Sequence, residues 1–282
     1  MPTVYKTPDG QRAVRGWCSE TLAQAGFPLT RRTLDTSAGP VELTSAGAGR
    51  SRVVLVPGTG FNAAVALPWL RALSVRWPTT VVDLPGQPGL SDPHRPGRGR
   101  TTWYGQVLDE VLAAMDADDV VVVGNSLGAA VALAASSPRI AARALISPAG
   151  FVRLSVEPQV ALASTAWLLR PTTGSTRRML RFFVAPGAEP PATEVEWMTL
   201  MARCCRTTLA PPPLPPRLLA TRAEQPCVVA TGEHDRFLPP GRLGPAVRRS
   251  MNLSLRVLPG TGHLTTADQL GQVVSVVGEV VG

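Results

Sequence analysis

A chain of 282 residues has room for one large domain, or for one domain with an insertion. Hydrophobic residues make up 44% and charged residues 17%, as in a globular protein with a sizeable core. No run reaches the roughly 18 apolar residues of a membrane-spanning helix. The formal net charge of +8 would suit an acidic partner. However, Lys6 is the only lysine, the arginines are scattered, and no basic-aromatic interleaving is present to stack bases, so nucleic-acid binding is not expected.

In chain order, a helix is expected over Gln11 to Ala25. Two alternating segments, TRRTLDT and PVELTSA, follow and suggest a hairpin. RVVLVPG reads as a strand buried on both faces. FNAAVALPWLRALSV has a helical pattern apart from Pro68, and TTVVDLPG is a second buried strand. TWYGQVLDEVLAAMDA carries apolar residues at helical spacing. DVVVVGNS is a third buried strand, followed by an Ala-rich helix. AARALISPAG, PCVVATGEHD and SLRVLPGTGH are further strands, and TADQLGQVVSVVGEVV reads as a closing helix. This alternation predicts an α/β fold with a mostly parallel sheet and helices on both faces. Such sheets bind ligands beyond the carboxyl ends of their strands.

Residues 151–225 break the alternation. They hold three helical apolar patches and the proline run APPPLPPRLL, which predicts an extended return path because proline is excluded from helix interiors. We expect an inserted helical cap over 151–225, on a core formed by 1–150 and 226–282.

Gly124-Asn125-Ser126-Leu127-Gly128 is a G-x-S-x-G motif between a strand and a helix. A serine at such a turn exposes its hydroxyl above the sheet, next to the free N–H groups of the helix N-terminus. A serine nucleophile needs a base, and His263 stands just after the last strand. His94 and His234 lie in a loop and a turn. The base needs an orienting carboxylate. Asp235, after the preceding strand, is the candidate, with Glu233 as its neighbour. The order Ser126, Asp235, His263 is one of the three in which such triads occur. Oxyanion donors are expected at the N–H groups of Leu127 and Thr59, with Gly60 as alternate.

The segments LVPGTG, VVDLPGQPGLS, VVGNSLGA, TGEHDRFLPP and LPGTGH together resemble the α/β-hydrolase family. The resemblance implies an eight-stranded, mostly parallel sheet, a Ser126-Asp235-His263 triad and a cap that shapes the substrate pocket. It departs from the family pattern at Pro57-Gly58, where the oxyanion loop usually reads His-Gly, and at the spread-out Gly86-Gln87-Pro88-Gly89-Leu90-Ser91. A carboxylic ester hydrolase acting on a small or medium apolar substrate is the expected function. Substrate contacts are expected from Gly60 and Asn125, and on the cap side from Trp167, Phe182, Phe183, Trp197, Met198 and Met201. Other readings are a carbon–carbon bond hydrolase, to which Asn125 points, a thioesterase or acyltransferase on a carrier-bound acyl chain, or a non-catalytic receptor with this fold. No metal or cofactor motif is visible. The four cysteines lack metal-site spacing, and no disulfide is expected. The first residues lack the apolar run of a secretory signal, so a cytoplasmic location is expected, with no membrane partner.

Overall fold

A computed structural model describes residues 1–115, 117–207 and 210–282. The strands are β1 (Thr30–Thr36), β2 (Gly39–Ala46), β3 (Val53–Val56), β4 (Thr79–Val82), β5 (Val120–Asn125), β6 (Ile140–Ile146), β7 (Cys227–Gly232) and β8 (Leu255–Leu258). They form one eight-stranded sheet in the order β1-β2-β4-β3-β5-β6-β7-β8. β1 and β2 form the expected antiparallel hairpin, and β2 pairs antiparallel with β4. The remaining neighbours pair in parallel.

The helices are α1 (Pro8–Ala23), α2 (Leu67–Ser74), α3 (Arg100–Ala114), α4 (Leu127–Ala134), α5 (Pro158–Leu169), α6 (Thr173–Leu180), α7 (Ala192–Cys204), α8 (Pro216–Arg222), α9 (Pro240–Met251) and α10 (Leu270–Gly278). Hydrophobic clusters fill both faces of the sheet. The four-valine run of β5 is buried on both, as a central parallel strand requires.

Several elements depart from the expected pattern. α1 begins at Pro8 rather than Gln11, because the Thr7 hydroxyl caps the N–H of Gly10 and proline suits the first helical turn. The helix expected over 61–75 is confined to α2. Asn62 takes the N–H groups of Ala64 and Val65 on its side-chain oxygen, and Asp83 takes that of Ala63, so this stretch is a side-chain-braced turn. The proline run ends by starting α8 at Pro216. α9 was not expected, since Pro240, Gly241, Gly244 and Pro245 obscure its period. α5, α6 and α7 pack on one another, whereas α8 packs on α4 and α9.

Buried Arg143 is another feature without a sequence signal. From β6 it donates to the carbonyls of Ala132 and Ala135 at the end of α4, at 2.8 and 3.1 Å, and to Gln225. A guanidinium complements the partial negative charge of a helix C-terminus. Burial lowers its pKa to about 10.

Candidate active site

β5 delivers Ser126 into a turn with φ 51° and ψ −110°. That is the left-handed half of backbone space, uncommon for a residue with a side chain. The turn is also crowded. A Cβ on Gly124 would lie 2.5 Å from the Ala129 Cα, and one on Gly128 would lie 1.9 Å from the Val56 carbonyl oxygen. Only glycine lets α4 start this close to β3. The Ser126 N–H donates to the Ile146 carbonyl at 3.0 Å, and the Ser126 carbonyl accepts the N–H of Ala149 at 3.1 Å. The strained residue is thereby held by β6 as well as by its own helix.

His263 follows β8 in a glycine-rich loop. The Leu264 N–H donates to the Phe183 carbonyl at 2.7 Å, and the His234 N–H donates to the Thr261 carbonyl at 2.9 Å. These bonds tie the loop to the segment after α6 and to the loop after β7. The His263 ring has edge contacts with Phe183 and Phe237, at centroid distances of 6.0 and 5.2 Å. Its Nε2 lies 3.2 Å from Ser126 Oγ and its Nδ1 lies 2.8 Å from Asp235 Oδ2.

Asp235 is 1% exposed. Its Oδ1 accepts the N–H groups of Phe237 and Leu238, each at 2.9 Å, and its Oδ2 also accepts the Thr231 hydroxyl at 3.1 Å. Burial works to raise its pKa, but the His263 charge and hydrogen bond, with the loop N–H donors, outweigh it and hold the carboxyl below the usual range. Whenever the His263 ring is neutral, an ionised Asp235 favours its proton on Nδ1, and Nε2 is then the acceptor facing Ser126 Oγ. Glu233 does not share this position: its carboxylate accepts the N–H of Gly260 and lies on the surface. His94 and His234 are also exposed, beside Asp92 and Glu233 respectively.

The loop after β3 passes close to Ser126, since a Cβ on Gly58 would lie 3.4 Å from the Ser126 Cβ. Gly60 donates its N–H to Gln87 Oε1 at 2.9 Å, which removes it as an alternate to Thr59 for binding an oxyanion. The N–H groups of Thr59 and of Leu127, first residue of α4, have no acceptor among the described residues.

A cavity of about 270 Å³ opens over Ser126 and His263. Thr59, Gly60 and Asn125 line it from the loops that follow the strands, and Trp167, Phe183, Met198 and Met201 from residues 151–225. Phe182 and Trp197 are not part of this lining. Trp197 is fully buried and donates its indole N–H to the Gly60 carbonyl at 2.8 Å, so it braces the loop from behind. Phe182 lies under the Arg236 guanidinium instead. Asn125 donates to the Ile146 carbonyl at 3.4 Å. Leu154, Phe237 and Leu264 also line the cavity, and the sequence carries no periodic or motif signal for them. Gln87 stands in the loop that departs from the family pattern, and nothing in the sequence signals its role. It joins Gly60 to the Tyr104 hydroxyl, 2.6 Å from its Nε2. The four cysteines are free thiols, and the described residues hold no group of three or more His, Cys, Asp or Glu side chains able to bind a metal ion.

The model of the alpha/beta hydrolase family matches residues 53–276. The chain belongs to the alpha/beta hydrolase family. Among solved structures, this alpha/beta hydrolase is similar to a hydrolase of Bacillus subtilis, with a TM-score of 0.83 and 17% identity over 97% of this chain and 99% of the other. It is also similar to the carboxylesterase CesB (YbfK) of Bacillus subtilis, with a TM-score of 0.79 and 16% identity over 96% and 98% of the two chains. A third likeness is to naproxen esterase (carboxylesterase NP) of Bacillus subtilis, with a TM-score of 0.74 and 17% identity over 93% and 96%. At these identities the likeness is one of fold. No curated protein matches the sequence. Among the described residues of this alpha/beta hydrolase, no helix is long and apolar enough to cross a membrane.

Proposed function

We propose that this alpha/beta hydrolase is a serine esterase that cleaves carboxylic esters through an acyl-enzyme. The observation that carries the reading is the continuous relay from Asp235 Oδ2 to His263 Nδ1 at 2.8 Å and from His263 Nε2 to Ser126 Oγ at 3.2 Å. Leu127 follows that serine in the chain and Thr59 lines the same cavity, and neither N–H has an acceptor among the described residues. In this reading His263 takes the Ser126 proton as Oγ attacks the ester carbonyl. The carbonyl oxygen becomes an oxyanion and accepts from Thr59 and Leu127 N–H. His263 then protonates the leaving alcohol, and water, deprotonated by the same ring, releases the acid. Preformed donors stabilise the developing charge without reorganisation, and each is worth about a hundredfold or more in rate.

The apolar cavity supports an acyl group of small or medium size. Residues 151–225 act as the cap, with α5 to α7 covering the cavity. Asn125 is held on the Ile146 carbonyl, so its presence lends no weight to carbon–carbon bond cleavage. The test is labelling by a fluorophosphonate. We expect one adduct, at Ser126, and none in Ser126→Ala. An adduct elsewhere, or undiminished labelling of the variant, sinks the assignment.

A further inference from the structure

Among the described residues seven large apolar side chains are exposed, and four of them fall within residues 156–169, on α5 and the turn before it. They are Val156, Leu162, Leu168 and Leu169, which are 57%, 73%, 39% and 81% exposed in that order. The helix reads PQVALASTAWLL and has no charged residue in its 12 positions. Its inner side, with Val160, Ala163 and Trp167, is buried. The outer side is apolar as well. Even the Thr165 hydroxyl is spent on the helix itself, donating to the Ala161 carbonyl at 2.8 Å. A helix that is apolar all round belongs under a cover, and exposed apolar patches mark binding surfaces.

Two further observations say what the cover is. The first is continuity with the reaction site. Leu168 is exposed and also lines the cavity over Ser126 and His263, beside buried Trp167. The apolar face and the apolar cavity therefore meet at one residue. The second is charge. Residues 152–189 hold α5 and the α6 that packs on it, and they carry five arginines and two glutamates. Both glutamates are in ion pairs, Glu157 with Arg236 at 3.3 Å and Glu189 with Arg181 at 2.8 Å. Arg153, Arg170 and Arg178 are exposed and have no ion-pair partner among the described residues. Arg170 directly follows Leu169 at the end of the helix. A second copy of the chain, seated symmetrically on this face, would bring these arginines toward their own equivalents, which is unfavourable. An anionic lipid surface takes both features at once: acyl chains receive the leucines and phosphates receive the guanidinium groups.

We infer that α5 docks on an anionic lipid surface, and that the ester passes from the lipid into the cavity beside Leu168. A helix of 12 residues is too short to span a bilayer, but lying in the interface asks for no such length. The inference rests on the serine-esterase reading above in one respect, that the molecule taken from the lipid is an ester cleaved at Ser126. It adds a substrate class: esters of medium chain length that partition into lipid. The chemistry at Ser126 is unchanged.

The first experiment is independent of turnover. Ser126→Ala is sedimented with vesicles of phosphatidylcholine alone and of phosphatidylcholine mixed with phosphatidylglycerol. We expect binding to the mixed vesicles. Adding Leu162→Asp and Leu169→Asp should weaken it by about tenfold or more, since each leucine loses its burial in lipid. Arg170→Gln and Arg178→Gln should each weaken it by about fivefold. No binding to the mixed vesicles, or binding that survives the two aspartates, overturns the inference. So does an oligomer of the lipid-free protein that the aspartates disperse in place of vesicle binding, because the face then belongs to a second copy. The second experiment restores Ser126. The two aspartates should leave hydrolysis of water-soluble p-nitrophenyl acetate unchanged, because neither leucine lines the cavity, and this also shows that the variant is folded. They should slow hydrolysis of dioctanoylglycerol carried in the mixed vesicles by about tenfold or more. Leucine-dependent vesicle binding with neither ester cleaved upholds the docking surface and refutes only the esterase reading. Cleavage of p-nitrophenyl acetate with no vesicle binding refutes the docking surface and leaves the esterase reading standing.

Discussion

Gln87 Oε1 accepts the N–H of Gly60 at 2.9 Å, and this single bond fixes which donors of the loop after β3 remain free. The Gln87 amide nitrogen continues to the Tyr104 hydroxyl at 2.6 Å, so α3 supports the bond from behind. From the other side Trp197 donates to the Gly60 carbonyl at 2.8 Å. Gly60 is thus gripped at both backbone polar groups, while the adjacent Thr59, which lines the cavity, has no acceptor for its N–H among the described residues.

Gln87→Leu should therefore reduce catalysis without touching substrate. It orphans the buried Gly60 N–H, which costs on the order of 1–3 kcal/mol, whereas the Tyr104 hydroxyl keeps its hydrogen bond with Arg95. We expect a fall in kcat of roughly tenfold, smaller than the hundredfold cost of deleting an oxyanion donor outright. Steady-state kinetics on an aryl ester, with the denaturation midpoint as a companion, check both parts.

Asp235→Asn should be far more damaging. Asparagine would turn an amide N–H₂ either toward His263 Nδ1, reversing the tautomer, or toward the N–H donors of Phe237 and Leu238. We expect kcat to drop by about 10⁴, by analogy with triads in which the same exchange misplaces the proton. A pre-steady-state assay should show acylation, not deacylation alone, as affected.

The depressed pKa of Asp235 sets an acid limit. The folded state holds its proton less tightly than the unfolded chain, so the associated stability is complete above the ordinary aspartate range and is lost as the pH falls through and below it. Asp83 has the opposite sign. Burial raises it to about 6, against the opposing hydrogen bonds from the Ala63 and Leu90 N–H groups. Its folded form binds a proton that the unfolded chain does not, so this group adds stability as the pH falls from 7 toward 5. The gain is on the order of 1 kcal/mol. Denaturation of wild type and Asp83→Asn at pH 7 and pH 5 should show the wild type gaining relative to the variant. An identical pH dependence in the two proteins would count against the buried, raised carboxyl.

Glycine substitutions separate tight approach from simple helix propensity. Gly128→Ala drives a methyl against the Val56 carbonyl and should either prevent accumulation of folded protein or cost several kcal/mol. Gly16 lies within α1 with nothing near its missing Cβ, so Gly16→Ala should stabilise by about 0.5–1 kcal/mol. Thermal midpoints of the two variants measured side by side decide the matter.

Much of the architecture was legible because the relevant signals are local. The continuous valine runs of β3 and β5 mark strands buried on both faces, and the Gly124 to Gly128 turn is written in five consecutive residues. α9 was not legible, because Pro240 sits in its first turn and Pro245 inside it, where local rules discount a helix that tertiary packing of Leu243, Val247 and Met251 sustains. α8 was missed for a related reason: the same prolines that forbid helix before it provide its start.

The sequence alone determined the chemistry-bearing residue types and their order: a serine on a glycine-flanked turn, an aspartate and a histidine after later strands. Order and composition are properties of the chain, and the parallel sheet converts them into proximity at one edge. Only the tertiary structure decided which of two neighbouring carboxylates meets His263, that Gly60 is spent on Gln87, and that Trp197 braces the loop from outside the cavity. Each of those is a matter of direction and distance between segments far apart in sequence, and hydrophobic periodicity carries no information about where a polar atom will point.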